Sequence, residues 1–571
     1  MDTPLGSVIQ GSLTQGLEVR LHSDVSVEDM RVGKFLVVRG VRSHFFCLLT
    51  DVSLGTTSTR IVANPPDPQD DFLRAVLAGG STYGTVNLAP MLMLTPKDPT
   101  ETGGLNGKKE NPKNTSLASL ETQSSAELEL LPVKTIPSHF SQVYEATERD
   151  FRTVFGWEDD PHRANFAIGQ PLDMNVPICL DLNRFIERSN GVFGKSGTGK
   201  SFLTRLLLAG IMRRRAAVNL IFDMHSEYGW EAVCEGKNTH TVKGLRQLFP
   251  HLVEVYTLDP ESTKRRGIRD AQELYLSFDQ IEIEDIHLVR GELNLSEASL
   301  DNANILYGEF KKNWITQLLS MTNEDIQTFC DESRGHKGSM MALQRKLLRL
   351  ENLKYIRSAT PHNYVQKILH SLEAGKSVVI EFGTQSDMLS YMLVTNMITR
   401  RIHKEYVRKA EIFLQSKNPC DRPTPLVITI EEAHRFLDPA IVRHTIFGII
   451  AREMRKYFVT LLIVDQRPSG IDNEVMSQIG TRITSLLNDD KDIDAIFTGV
   501  SGGSNLRSVL AKLDSKQQAL VLGHAVPMPV VVKTRPYDQK FYAEIGQPDW
   551  ANKADAEVFA AAQVAKADLG L

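Results

Sequence analysis

The stretch Gly191–Met212, "GVFGKSGTGKSFLTRLLLAGIM", decides the fold. It carries G-x-x-x-x-G-K-S from Gly194 to Ser201, after a short apolar run and before a strongly apolar helical one. Glycines in such a loop let main-chain N–H groups turn inward around a phosphate, where a Cβ would stand in the way. The helix behind the loop adds the positive end of its dipole. Gly194, Ser196, Gly197, Thr198 and Gly199 form the cradle, with Phe202 beside it. Lys200 reaches the β- and γ-phosphates, and Ser201 ligates Mg²⁺. A flexible Gly/Ser loop would need neither the preceding strand nor the following helix. The implied cofactors are ATP and Mg²⁺.

A P-loop needs an acidic partner that holds the metal's water shell and orients the attacking water. Pro425–Phe436, "PLVITIEEAHRF", offers one. An apolar strand delivers Glu431 and Glu432 to its carboxyl end, where open α/β sheets bind ligands. Alone, the pair would read as a solvated strand end. With the P-loop in the same chain, Glu431 is assigned to Mg²⁺ and Glu432 to polarising the lytic water.

Working outward, apolar strands alternate with amphipathic helices from about 166 to 536, the pattern of a parallel α/β sheet. Between about 231 and 370 helical periodicity takes over, as in "ANILYGEFKKNWITQLLSM", and predicts an inserted helical bundle. The P-loop domain is placed at 151–545, with a helical tail at 546–571. Residues 1–150 hold glycine-punctuated β-rich runs, "SVIQGSLTQGLEVRL", "GKFLVVRG", "HFFCLLTDVSLG" and "TSTRIVA", which predict a small β-barrel. Within them, 96–126 nearly lacks apolar residues and predicts a flexible excursion. Pro137–Gly156, "PSHFSQVYEATERDFRTVFG", predicts a helix running into the next domain.

Composition excludes more than it identifies. At 571 residues the chain is too long for one core, and its net charge of −5 excludes a wholly basic surface but not a local basic lining. No apolar run approaches a membrane span, and "MDTPLGSVIQ" has neither the basic nor the apolar segment of a secretory signal. Five scattered cysteines without C-x-x-C spacing suit a reducing cytoplasm.

Several stretches together carry a family resemblance. The P-loop, "IFDMHSEY" (Ile221–Tyr228), "IEEAH", "REMRKYFVTLLIVDQRPSGIDNEVMSQIGTRI" (Arg452–Ile483) and "ALVLGHAVPMPVVVKTRP" (Ala519–Pro536) resemble the HerA group of the HerA/FtsK ATPase superfamily. The resemblance covers roughly 165–230 and 375–540. It implies a RecA-like core and a homohexameric ring that hydrolyses ATP at subunit interfaces and draws double-stranded DNA through its pore. It also implies a partner, either a NurA-like nuclease in end resection or another effector in anti-phage defence. By matching positions, Gln466 contacts the γ-phosphate or the water, and Arg452 and Arg455 supply arginine fingers. Asp223, His225 and Glu227 shape the surroundings of the site. Two positions depart from the family: Glu431 stands where aspartate is usual, and Asp465 where threonine is usual. Asp465 puts a negative charge by a phosphate site, unfavourable unless it points away or pairs with an arginine such as Arg467.

Other features have plainer readings. Arg213–Arg215 complement a helix dipole. Gln344–Lys354 reads as a solvated basic helix face, and His434 as a loop brace rather than a metal ligand. The charged stretch Ser262–Asp270 reads as a surface loop, equally suited to lining a pore or meeting a partner. The same residues are compatible with two rival functions: an ATP-gated scaffold for an effector, and a motor for protein substrates.

Overall fold

The computed structural model describes residues 3–57, 67, 69–96, 128–233, 241–360, 363–500, 503–511, 513–514 and 517–545. The "TSTRIVA" run beyond Thr57, the excursion beyond Pro96 and the tail at 546–571 lie outside them.

The N-terminal unit is built from β1 (Gly6–Ser12), β2 (Gly16–Leu21), β3 (Phe35–Arg39), β4 (His44–Thr56), β5 (Thr82–Pro96), β6 (Leu128–Pro132) and β7 (Gln142–Glu145). Six of them run β2-β1-β7-β3-β4-β5 and close through β2–β5 into an antiparallel barrel, and β6 adds to β5. Leu36, Val38, Phe45, Cys47 and Leu49 fill its interior. The alternate residues Phe35, Val37, Phe46 and Leu48 join the core of the large domain instead. Burial on both faces is why β3 and β4 read as continuous apolar runs rather than alternating ones.

The helix expected over 137–156 is only half present. Residues 142–145 form β7, which slots between β1 and β3 and completes the ring. The helix is Glu148–Phe155, started by a capping box between Thr147 and Asp150. Strand pairing on both sides outweighs the local helical signal ahead of that cap. The Phe151 ring then packs edge-on against Phe35 and Phe46, 5.5 and 5.3 Å between centroids, joining the barrel to the large domain.

The large domain is one sheet of twelve strands. Its members are β8 (Asn165–Gln170), β9 (Ile178–Asp181), β10 (Asn190–Phe193), β11 (Val218–Asp223), β14 (Val253–Thr257), β15 (Gln272–Glu273), β18 (Ser377–Glu381), β19 (Leu426–Glu431), β20 (Val459–Asp465), β21 (Thr481–Thr484), β22 (Gln518–Gly523) and β23 (Val530–Thr534). Two small ladders, β12 (Ala232–Val233) with β13 (Thr241–Val242) and β16 (Leu276–Ser277) with β17 (Ile356–Arg357), stand apart. The order is β15-β14-β18-β11-β19-β20-β10-β21-β22-β23-β8-β9. From β15 to β21 every pairing is parallel, the P-loop ATPase arrangement expected. The sheet is nonetheless mixed, because β22, β23, β8 and β9 pair antiparallel at the far edge.

After residue 231 the chain lays β14 and β15 on the opposite edge. A helical bundle then runs from Ile283 to Glu373, held around the buried Trp314, Leu318, Leu343 and Leu347. Among the described residues, no helix is long and apolar enough to cross a membrane.

Candidate active site

The site forms where β10, β20, β19 and β11 end side by side. The chain leaves β10 at Phe193 and enters the helix Lys200–Arg213, whose residues from Leu203 to Met212 are buried. That burial anchors the loop from behind. Gly194, Gly197 and Gly199 have φ of 152, 77 and 95°, backbone that residues with a Cβ rarely adopt. Thr198 Oγ1 braces the loop on Lys195 O at 2.7 Å, and Lys200 Nζ donates to Gly194 O at 2.6 Å. Burial pushes the Lys200 amine down, opposed by Glu432, Asp465, Glu431 and Glu227. Ser201 follows in the first helical turn. Phe202 is partly exposed beside it, under the Arg205 guanidinium.

The two glutamates at the end of β19 differ sharply. Glu431 is buried and Glu432 is half-buried, with φ at +47°. Ser196 Oγ donates to Gln466 Oε1 at 2.8 Å, and Gln466 Nε2 reaches Glu432 Oε1 at 3.4 Å. P-loop, glutamine and second glutamate are thus one hydrogen-bonded line across three strand ends.

Glu431 Oε1 accepts from the Tyr228 hydroxyl at 2.8 Å, while Oε2 is buried with no partner. Burial, with Asp223 next, pushes its carboxyl up to about 8; the Tyr228 bond pulls the other way. Asp223 ends β11 and accepts the main-chain N–H groups of Glu227, Tyr228 and Gly229 at 2.7, 2.8 and 3.2 Å. This fixes the turn that aims Tyr228. Arg205 from the P-loop helix donates to Glu227 O, whereas His225 is exposed.

A third acid, Glu381, ends β18 in register with Asp223. It is fully buried; burial and Asp223 raise its carboxyl to about 7, and Arg266 opposes them. Arg266 Nη2 lies 2.5 Å from Glu381 Oε2, so the stretch Ser262–Asp270 sends one of its cations inward. A Cβ on Gly229 would stand 2.7 Å from Glu381 Oε1, so a larger residue there would have to displace that carboxyl. Glu381 was legible in principle: "VVIEFG" ends an apolar strand in an acid, just as "ITIE" does.

Asp465 is met by donors from two neighbouring turns. Its partners are the main-chain N–H of Arg467 at 2.7 Å and the ring and N–H of His434. That hydrogen bond holds His434 above its ordinary range. Ligand atoms of Glu432, His434 and Asp465 lie within 4.8 Å of one another, but both Asp465 oxygens already accept N–H donors.

Arg452 is not joined to this group; its Nε lies 3.4 Å from Glu474. Arg455 is in the turn Met454–Tyr457, and its side chain lies outside the described residues. Arg213 and Arg214 donate to the main-chain oxygens of Glu544 and Asn165, a local bracing role.

The residues fit Mg²⁺ and a nucleotide. Among the described residues, a buried carboxylate oxygen without a donor, a serine hydroxyl at a helix start and a lysine bonded to a carbonyl of its own loop are groups that a cation and phosphates would complete.

Residues 166–402 match the family model "Helicase HerA, central domain", and residues 5–104 match "HAS barrel domain". The "Probable DNA double-strand break repair helicase HerA" of Methanocaldococcus jannaschii is 33% identical over 394 residues, 64% of this chain and 75% of that protein. The "DNA double-strand break repair helicase HerA" of Pyrococcus furiosus is 25% identical over 429 residues, 71% of this chain and 74% of the relative. Among solved structures, VirB4 of Thermoanaerobacter pseudethanolicus aligns at 12% identity and a TM-score of 0.41, over 65% of this chain and 96% of that one.

Proposed function

The chain belongs to the HerA helicase family, and from that premise we propose that it is an ATP-driven translocase or helicase acting on double-stranded DNA. In this reading it works in the cytoplasm as a homohexameric ring, with a nuclease of NurA type or another effector, in DNA end processing or anti-phage defence. The barrel (1–150) and the motor (151–545) are its two working parts.

The observation that carries the reading is the line Ser196–Gln466–Glu432, which joins the phosphate loop to a half-buried carboxylate. P-loop N–H groups and Lys200 hold the phosphates, Lys200 exchanging Gly194 O for phosphate oxygens. Ser201 and Glu431 would hold Mg²⁺, which when bound neutralises phosphate charge. Glu432 accepts the proton of the attacking water, and Gln466 orients that water. Arg452 and Arg455 are assigned to a neighbouring subunit's site, where a guanidinium matches phosphate oxygens bidentately.

The test is Mg²⁺-dependent ATP hydrolysis with and without duplex DNA, for the parent chain, Lys200→Ala and Glu432→Gln. DNA-stimulated turnover that both substitutions abolish is expected. A parent chain that hydrolyses ATP but ignores DNA sinks the translocase reading. Full turnover in Glu432→Gln sinks the assignment of the base.

A further inference from the structure

Asp465 closes β20 in register with Phe193, the residue from which the P-loop springs. Its carboxylate is buried, and a buried carboxylate must be met by donors. Among the described residues, every donor to its carboxylate belongs to one of two turns. Oδ2 accepts the main-chain N–H of His434 at 2.7 Å and lies 3.0 Å from His434 Nδ1. Oδ1 accepts the main-chain N–H of Arg467 at 2.7 Å. Its carbonyl takes the N–H of Gly194 at 3.3 Å. One residue therefore ties together the turn after Glu432, the turn after Gln466 and the first residue of the P-loop.

Glu432 needs such a hold. At φ +47° it occupies left-handed backbone that costs energy in a residue with a Cβ, and it persists only where its surroundings enforce it. His434 is wedged on the far side, where a Cβ on Gly470 would stand 3.2 Å from its own Cβ. A ring nitrogen this close to a carboxylate carries the proton in the neutral and the charged ring alike, so the link survives titration.

We infer that Asp465 and His434 form a clamp that positions Glu432 and Gln466 relative to the P-loop, making both of them positioning residues for hydrolysis. The inference rests on the ATP-hydrolysis reading above. The clamp sets where the carboxylate and the amide stand, and leaves the phosphate cradle to Gly194–Ser201. Its loss therefore strikes turnover rather than nucleotide binding.

The experiment compares the full-length parent, Asp465→Asn, His434→Leu, His434→Asn and Lys200→Ala. Steady-state ATP hydrolysis is measured beside equilibrium binding of a fluorescent ATP analogue. Asp465→Asn and His434→Leu should lower kcat about tenfold to a hundredfold, the scale for a misplaced reacting group. KM and analogue affinity should stay within about threefold of the parent, the scatter expected when uniform binding is untouched. His434→Asn should recover most of the turnover, because its amide nitrogen falls where Nδ1 stood and still donates. Parent-like kcat in Asp465→Asn and His434→Leu overturns the clamp. So does loss of analogue binding in step with kcat, which would mark a merely structural role, and so does His434→Asn no better than His434→Leu. A parent that hydrolyses no ATP, or a Lys200→Ala as active as the parent, overturns the ATPase reading instead.

Discussion

Glu431→Gln should make the protein more stable while making it inactive, with a gain that grows with pH. Glu431 is fully buried, and its carboxyl is held at about 8 rather than the ordinary 4.5, first by burial and then by Asp223. A carboxyl whose folded value is raised binds its proton more tightly when folded. Folding thus carries no penalty below the unfolded value, and the penalty grows as pH climbs from about 4.5 towards about 8. At 1.36 kcal/mol per unit, the full penalty near pH 8 would be about 5 kcal/mol, and near pH 5 under about 1 kcal/mol. Repulsion among Asp223, Glu381 and Glu431, which titrate together, and relaxation around them bring the expected gain near pH 8 down to about 2–4 kcal/mol. Glutamine keeps an oxygen for the Tyr228 hydroxyl, so the existing hydrogen bond is retained. The assay is thermal unfolding of both proteins near pH 5 and near pH 8, with and without Mg²⁺ and a non-hydrolysable ATP analogue. The midpoint difference should be several degrees near pH 8 and small near pH 5. Mg²⁺ with nucleotide should raise the parent's midpoint more than the variant's. A variant that is less stable near pH 8, or equally shifted at both pH values, would refute the reasoning.

Three other perturbations test separate parts of the structure. Arg266→Ala removes the partially exposed cation that meets Glu381. It should cost about 1–2 kcal/mol near pH 8 and less near pH 5, where Glu381 takes a proton; denaturant midpoints at the two pH values measure this. Phe151→Ala empties the buried contact between the barrel and the large domain. It should lower stability by about 3–4 kcal/mol in the same denaturation experiment, and a loss under about 1 kcal/mol would mean the two units do not lean on that ring. Gly229→Ala places a methyl against Glu381 Oε1 and should lower the thermal midpoint, and Gly229→Ala combined with Glu381→Ala should recover part of it.

The phosphate site was legible because its donors are consecutive. Gly194 to Ser201 converge on one point within a single turn of chain, so eight letters and the apolar runs beside them suffice. Glu431 and Glu432 were legible for a related reason, as acids at the end of an apolar strand. What each experiences was not. The strand ends at Glu431 and Glu432 leaves it through left-handed backbone, so one glutamate is buried among carboxylates and the other opens toward Gln466.

Everything else depends on strand order. Asp223, Glu381 and Glu431 are far apart in the chain and become neighbours only because β18, β11 and β19 lie side by side. Asp465 meets His434 because β20 flanks β19, which turned an apparently misplaced charge into an acceptor for two turns. Arg266 belongs to a stretch that read as surface, and the fold brings it against the buried Glu381. Local sequence thus determined the phosphate loop, the strand-end acids and the alternation of strands with helices, since these are properties of consecutive residues. Which carboxylates raise one another's proton affinity, which oxygen is left unpaired, and which loops are tied together were decided by tertiary structure, because such energies follow distance in space and burial rather than separation along the chain.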